Sequence, residues 1–226
     1  MSQAKKVFTR MCLNNWGGID HKVLEFHEYV NLFSGKSGSG KSTVMDAIQV
    51  ILYGSFSPSF LNKAADDAKN RRSVLSYLRG EQKDGSANRK DCDFCSVIAL
   101  EMEDTGTHII TCIGIAFEVR KSDSEIKKFV YFSHSGKMPE SEYLTEQGVC
   151  YSNQEIKKLV SARTKSDDNR GKGEVNRIYG SKEAYLGTLY DVILGYIDQN
   201  RFITMEKSAI ALKMTNGTGQ FIRDYM

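Results

Sequence analysis

Apolar positions along the first 54 residues change period twice, and each change marks an element. Residues 6–13 alternate roughly, with Val7, Met11 and Leu13 among polar neighbours, the two-residue period of a half-buried strand. The turn-forming run Asn14-Asn15-Trp16-Gly17-Gly18 follows, then a second strand over 21–26 with Val23, Leu24 and Phe26. Residues 30–34 (VNLFS) are a compact apolar run, which predicts a buried central strand. From 41 to 53, Val44, Met45, Ala47, Ile48, Val50, Ile51 and Leu52 cover most of a helix's circumference. That helix is expected to be buried, with Gly54 as its stop.

Downstream, residues 55–70 read as a polar surface loop, 71–78 as a short helix or a turn and strand, and 80–90 as a loop. Three strand-like runs (94–102, 108–119, 128–134) separated by turn-rich segments predict an antiparallel meander. A helix begins at 154–160, a polar break covers 166–172, and Leu186, Leu189, Val192, Ile193 and Tyr196 predict a helix over 184–196. Short segments at 207–213 and 220–225 flank a flexible Asn216-Gly217-Thr218-Gly219. The organisation expected is therefore 1–80 with strands and the first helix, a β-rich portion at 90–165, and a helical portion at 175–226.

Composition narrows the class only a little. A chain of 226 residues can bury a sizeable core, and a net charge of +3 does not by itself argue for nucleic acid. No run approaches the ~18–20 uninterrupted apolar residues of a membrane span, and the first residues lack the apolar centre of a signal peptide, so the cytosol is the expected compartment. Five scattered cysteines do not make a disulfide framework. Cys92 and Cys95 form one CxxC without a second pair, and read as small residues on a strand.

The chemistry lies between the third predicted strand and the helix. Gly35-Lys36-Ser37-Gly38-Ser39-Gly40-Lys41-Ser42 fits G-x-x-x-x-G-K-[ST], a phosphate-binding loop. Glycines permit positive φ and close backbone approach, and successive amides from about Gly38 to Thr43 face one concavity at the positive end of the helix dipole. Lys41 is the catalytic candidate, its ammonium placed between β- and γ-phosphate oxygens of ATP. Ser42 offers its hydroxyl to Mg²⁺, and Thr43 also reaches toward a phosphate. A second acidic site is missing. The strand-like runs 97–101 and 113–118 end in a lone Glu, Asp198 falls at the end of a predicted helix, and no LSGGQ-like signature is present.

Three strands, this loop, and a helix continuing Ser42-Thr43-Val44-Met45-Asp46-Ala47-Ile48 resemble the N-terminal half-head of SMC/Rad50/MukB-class ABC-type ATPases. Trp16-Gly17-Gly18 and residues 71–80 (RRSVLSYLRG) look most like the JetC-type, MukB-like subunit of Wadjet anti-plasmid systems. The resemblance implies an α/β P-loop NTPase head with an antiparallel β-rich portion and flanking helices. It implies a chain ending where a coiled coil begins, at 221–225, with the second catalytic motifs supplied by the C-terminal half-head of the same polypeptide. The partners it implies are a second copy of the head, kleisin and KITE subunits, a nuclease subunit and DNA, and no membrane. Arg71, Arg72 and Arg79 then correspond to an arginine cluster beside nucleotide or DNA, or equally to a solvated helix face. Gln220, with Gln199 as the alternative, is the candidate Gln of the Mg²⁺ shell.

Other readings stay open. Asp46 is more readily a capping or packing residue than a catalytic one, and Trp16 more readily core than an adenine platform. Lys121, Lys127-Lys128 and Lys157-Lys158 read as solvated faces that DNA phosphates could use. The whole chain could instead be a small phosphotransferase, or a nucleotide-gated DNA-binding scaffold.

Overall fold

The computed structural model describes residues 4–36, 38–57, 73–82, 85–166 and 175–210, the side chains of 207–210 excepted. Six antiparallel strands form one sheet in the order β2-β1-β3-β4-β5-β6. They are β1 (Lys6–Trp16), β2 (Ile19–Glu25), β3 (Phe94–Asp104), β4 (Ile110–Val119), β5 (Lys128–Ser135) and β6 (Arg177–Tyr179). The predicted meander is present as β3-β4-β5. It is continuous with the N-terminal hairpin, because β1 pairs with β2 on one side and β3 on the other, Leu13 opposite Ile98.

Alternation along the strands sends two apolar sets to opposite faces. Met11, Leu13, Ile98, Leu100, Ile113, Ile115 and Phe117 face α1 (Lys41–Tyr53), α2 (Val74–Arg79), α4 (Lys182–Gly187) and the π-helical turn that follows it. Cys12, Val97, Ala99, Cys112, Ala116 and Phe132 face the 138–150 segment and α3 (Asn153–Ser166). Gly114 is required where these layers are tightest: a Cβ there would come within 2.7 Å of the Phe132 ring and 2.6 Å of the Ile98 carbonyl.

The loop-bearing helix α1 is buried as its pattern predicts, from Val44 to Tyr53, with Met45 the outlying exposed position. Its C-terminal carbonyls, which have no partner inside the helix, are met by tyrosine hydroxyls. Tyr185 donates to Ile51 (3.0 Å), Tyr190 to Leu52 (3.0 Å) and Tyr131 to Gly54 (2.6 Å). Burial pushes all three phenols above the usual tyrosine value, which keeps them protonated as donors. Gly54 closes the helix in the left-handed conformation, φ 53°.

Three expectations change. Residues 30–34 are not a strand: both edges of β1 are paired, the outer edge of β2 takes no partner among the described strands, and Val30 and Leu32 are 78% and 88% exposed. The predicted turn at 14–18 shrinks to Gly17-Gly18: the Asn14, Asn15 and Trp16 side chains bond Glu142, Cys95 and Thr43, and Asn15, at φ 55°, drops out of the pairing with β2 while β1 runs on to Trp16. The 184–196 helix becomes α4 followed by a wider turn over Thr188–Ile193, closed by the Leu194 amide on the Leu189 carbonyl. That widening brings Tyr190 under α1 and leaves Val192 and Tyr196 in solvent. The final described helix, α5 (Gln199–Ile210), starts at an Asp198 cap.

Candidate phosphate-binding site

The loop between the exposed segment and α1 has the backbone its glycines allow. Gly35, Gly38 and Gly40 have φ of 152°, 84° and 88°. A Cβ at Gly35 would come within 2.7 Å of the Ser39 hydroxyl, so the loop's two limbs nearly touch there. At Gly38 and Gly40 a Cβ would meet no described atom within 4 Å, which leaves the outer side of the loop open to a ligand. The Lys41 ammonium folds across the loop and donates to the Gly35 carbonyl (2.7 Å), the Lys36 carbonyl (3.0 Å) and the Ser39 hydroxyl (3.3 Å). The Val44 amide bonds the Gly40 carbonyl at 3.1 Å. The amides of Ser42 and Thr43 lie ahead of that bond, at the helix end where N–H groups point outward. Ser42 is exposed and Thr43 half-buried.

This donor set fits a magnesium–triphosphate group. Outward amides and a flexible ammonium already placed over the loop match phosphate oxygens, and the exposed Ser42 hydroxyl matches a hard cation's preference for oxygen. No described atom fills the open side opposite Gly38 and Gly40.

Beneath the loop lies a buried layer. Trp16, fully buried, donates its indole N–H to the Thr43 carbonyl at 2.9 Å and stacks on Tyr77, centroids 5.1 Å apart. The Tyr77 hydroxyl donates to the Asp46 carboxylate, and the Gly17 amide donates to the Tyr77 carbonyl at 2.8 Å. Trp16 is therefore core rather than an adenine platform, and Asp46 is a buried packing partner. Arg89, 6% exposed, donates to the carbonyls of Leu78 and Gly17 and pairs with Asp20 at 2.8 Å. Burial lowers its guanidinium pKa, partly offset by Asp20. Sequence reasoning missed Tyr77 and Arg89, since neither sits in a spacing that marks a site. Gly17 did carry a signal, a glycine pair directly after a tryptophan.

The remaining candidates are dispersed. Ser37, Arg71, Arg72 and Gln220 lie outside the described residues, as does the proposed exit at 221–225. Arg79 ends α2 with its guanidinium on the carbonyls of Lys121 (3.2 Å) and Asp123 (2.5 Å). Gln199 opens α5. The carboxylates considered for the second acidic site are engaged locally. Glu101 accepts from the Thr9 hydroxyl and the Met138 amide, Glu118 from the Asn153 amide, and Asp198 from the Arg201 amide. Among the described residues, no cluster of three His, Cys, Asp or Glu could hold a metal, and no helix is long and apolar enough to cross a membrane.

Residues 8–68 match the family model described as the P-loop containing region of AAA domain. That match takes in most of the β1-β2 hairpin, the phosphate-binding loop and α1. Over 74 residues the chain is 34% identical to the SbcC component of the SbcCD nuclease of Staphylococcus haemolyticus (strain JCSC1435). That stretch is 31% of this chain and 6% of the relative, so the chain spans a small part of that protein's length. A solved structure from work on "ATP-driven dimerization and DNA stimulated activation of SMC ATPases" aligns with 88% of this chain and 98% of its own, at 15% identity. The TM-score of that alignment is 0.37.

Proposed function

We propose that this chain is the ATP-binding N-terminal half-head of an SMC/Rad50-like ABC-type ATPase, completed by a C-terminal half-head. The observation that carries the reading is an asymmetry at the loop. Its helix side is packed into the core, while residues 29–32 on its strand side are an apolar segment in solvent. Burying Val30 and Leu32 is worth about 1.5–3 kcal/mol each, a gain that an added parallel strand would collect. The likeness to an SbcC protein supports the same class.

In this reading Lys41 holds the β- and γ-phosphates, the amides around Gly38–Thr43 bind the same oxygens, and Ser42 ligates Mg²⁺, which neutralises charge developing on the phosphates. Arg72, Arg79 and Gln220 are the further nucleotide and Mg²⁺ residues proposed by resemblance. The carboxylate that orients water, and the signature motif, arrive from the completing half and a second head. The narrower proposal, resting on Trp16-Gly17-Gly18 and residues 71–80, is a cytoplasmic JetC-type subunit of a Wadjet system. There kleisin and KITE partners and a nuclease subunit would act with it on DNA.

The test is Mg-ATP binding and turnover by the chain alone. Binding that Lys41→Ala removes, with turnover near background, is expected. Vigorous turnover by the monomer would end the half-site reading, and ADP release that depends on a small-molecule acceptor would make the chain a phosphotransferase. DNA or partner binding that Lys41→Ala leaves intact would favour a scaffold.

A further inference from the structure

The turn between β1 and β2 does more than reverse the chain. A Cβ on Gly17 (φ 59°) would come within 2.5 Å of the Thr43 methyl carbon, so this glycine lies flush against the first turn of α1. The residue before it holds the same turn by a different atom, the Trp16 indole bonding the Thr43 carbonyl. The turn is itself immobilised from behind. Its Gly17 carbonyl accepts from the buried Arg89, its Gly17 amide bonds Tyr77, and a Cβ on Gly80 would come within 2.6 Å of that Gly17 carbonyl. Thr43 thus sits against a rigid turn at both its backbone and its side chain, one residue after the exposed Ser42.

We propose that Trp16 and Gly17 are positioning residues for the phosphate loop. They fix the height of Thr43, and through it the direction of the Ser42 hydroxyl and the two amides ahead of Val44. The inference rests on the reading of this loop as an Mg-ATP site. Neither residue reaches the ligand; both act through Thr43. A contact that only stabilised the fold would alter melting and leave the affinity of the folded chain unchanged, whereas a positioning contact must change that affinity through Thr43.

A double-mutant cycle reads that coupling. Binding of a fluorescent ATP analogue with Mg²⁺ is measured on the full chain and on Gly17→Ala, Thr43→Ser and the double variant, with thermal melting of each. Gly17→Ala is expected to weaken binding about tenfold beside Thr43 and less than about twofold in the Thr43→Ser background, because that change deletes the methyl the new Cβ would strike. The left-handed backbone strain is the same in both backgrounds, whereas the clash is present only beside Thr43, so melting should fall further there, and binding is read well below every melting point. Trp16→Phe serves as the second variant should Gly17→Ala fail to fold. It keeps a ring against Tyr77 while removing the bond to Thr43, and is expected to weaken binding about three- to tenfold. Equal losses in both backgrounds, or unchanged binding by Trp16→Phe, would overturn the proposal while leaving the ATP reading standing. A wild-type chain that binds no Mg-nucleotide would overturn both.

Discussion

The two limbs of the phosphate loop come from the same few residues of sequence yet live in different surroundings. After the loop, α1 is enclosed: Ala47 and Ile51 are fully buried, its last carbonyls are capped by three tyrosines, and its first turn rests on Trp16 and Gly17. Before the loop, residues 27–34 are mostly exposed and held at their margin: Asn31 bonds both backbone groups of His27, Lys5 lies 3.9 Å from Glu28 and over the Tyr29 ring, and Phe33 packs on Phe26 and the rim of the core. Apolar character is similar on both sides; enclosure is not. The difference teaches that this chain encloses the helix side of the loop by itself and leaves the segment before the loop largely in solvent.

The largest effect expected from breaking this comparison is at the loop. Lys41→Ala should weaken Mg-ATP binding by about a hundredfold or more, since it deletes the ammonium folded over the loop's carbonyls, while melting stays close to wild type; a calorimetric titration with parallel melting checks this. Ile51→Ala, on the enclosed side, should cost about 2–5 kcal/mol in urea unfolding.

Acid offers a third probe, acting on the enclosed fold from the opposite face of the sheet. His134 is fully buried between the Ser135 carbonyl and the Tyr143 hydroxyl, and burial pushes its pKa down to about 4 from the ordinary 6.5. Between those values the unfolded chain takes up a proton that the folded chain refuses. Stability is therefore complete above pH 6.5 and falls with pH, by up to about 3 kcal/mol at pH 4. Urea midpoints across that range should show the decline, and His134→Gln should flatten it. The smallest effect belongs to the bare side: Leu32→Ser should shift the stability of the chain alone by less than about 0.5 kcal/mol. A larger loss would mean that residues 27–34 are already enclosed.

How much was legible in the sequence follows from what each signal measures. The 41–53 helix and the strands carrying Leu13, Ile98 and Ile115 were readable because their periods match the faces they bury. The run at 30–34 shows that an apolar stretch records a need for burial, not the presence of a partner inside the same chain. The 184–196 pattern placed Leu186, Leu189 and Ile193 correctly in the core but wrongly put Val192 and Tyr196 with them, because the turn widens where Tyr190 satisfies a carbonyl of α1 more than a hundred positions away. The loop itself was plain from Gly35 to Ser42. Its underside was not, since Trp16, Tyr77, Asp46 and Arg89 meet only through the fold, and Arg72 and Gln220 rest on resemblance.

Amide hydrogen exchange of the chain with and without Mg-ATP reads both limbs at once. The expected result is slow exchange over α1 throughout, new protection at residues 38–43 on adding nucleotide, and fast exchange over 27–34 in both states. Residues 27–34 exchanging as slowly as α1 in the free chain, or no nucleotide-dependent protection at 38–43, would contradict it.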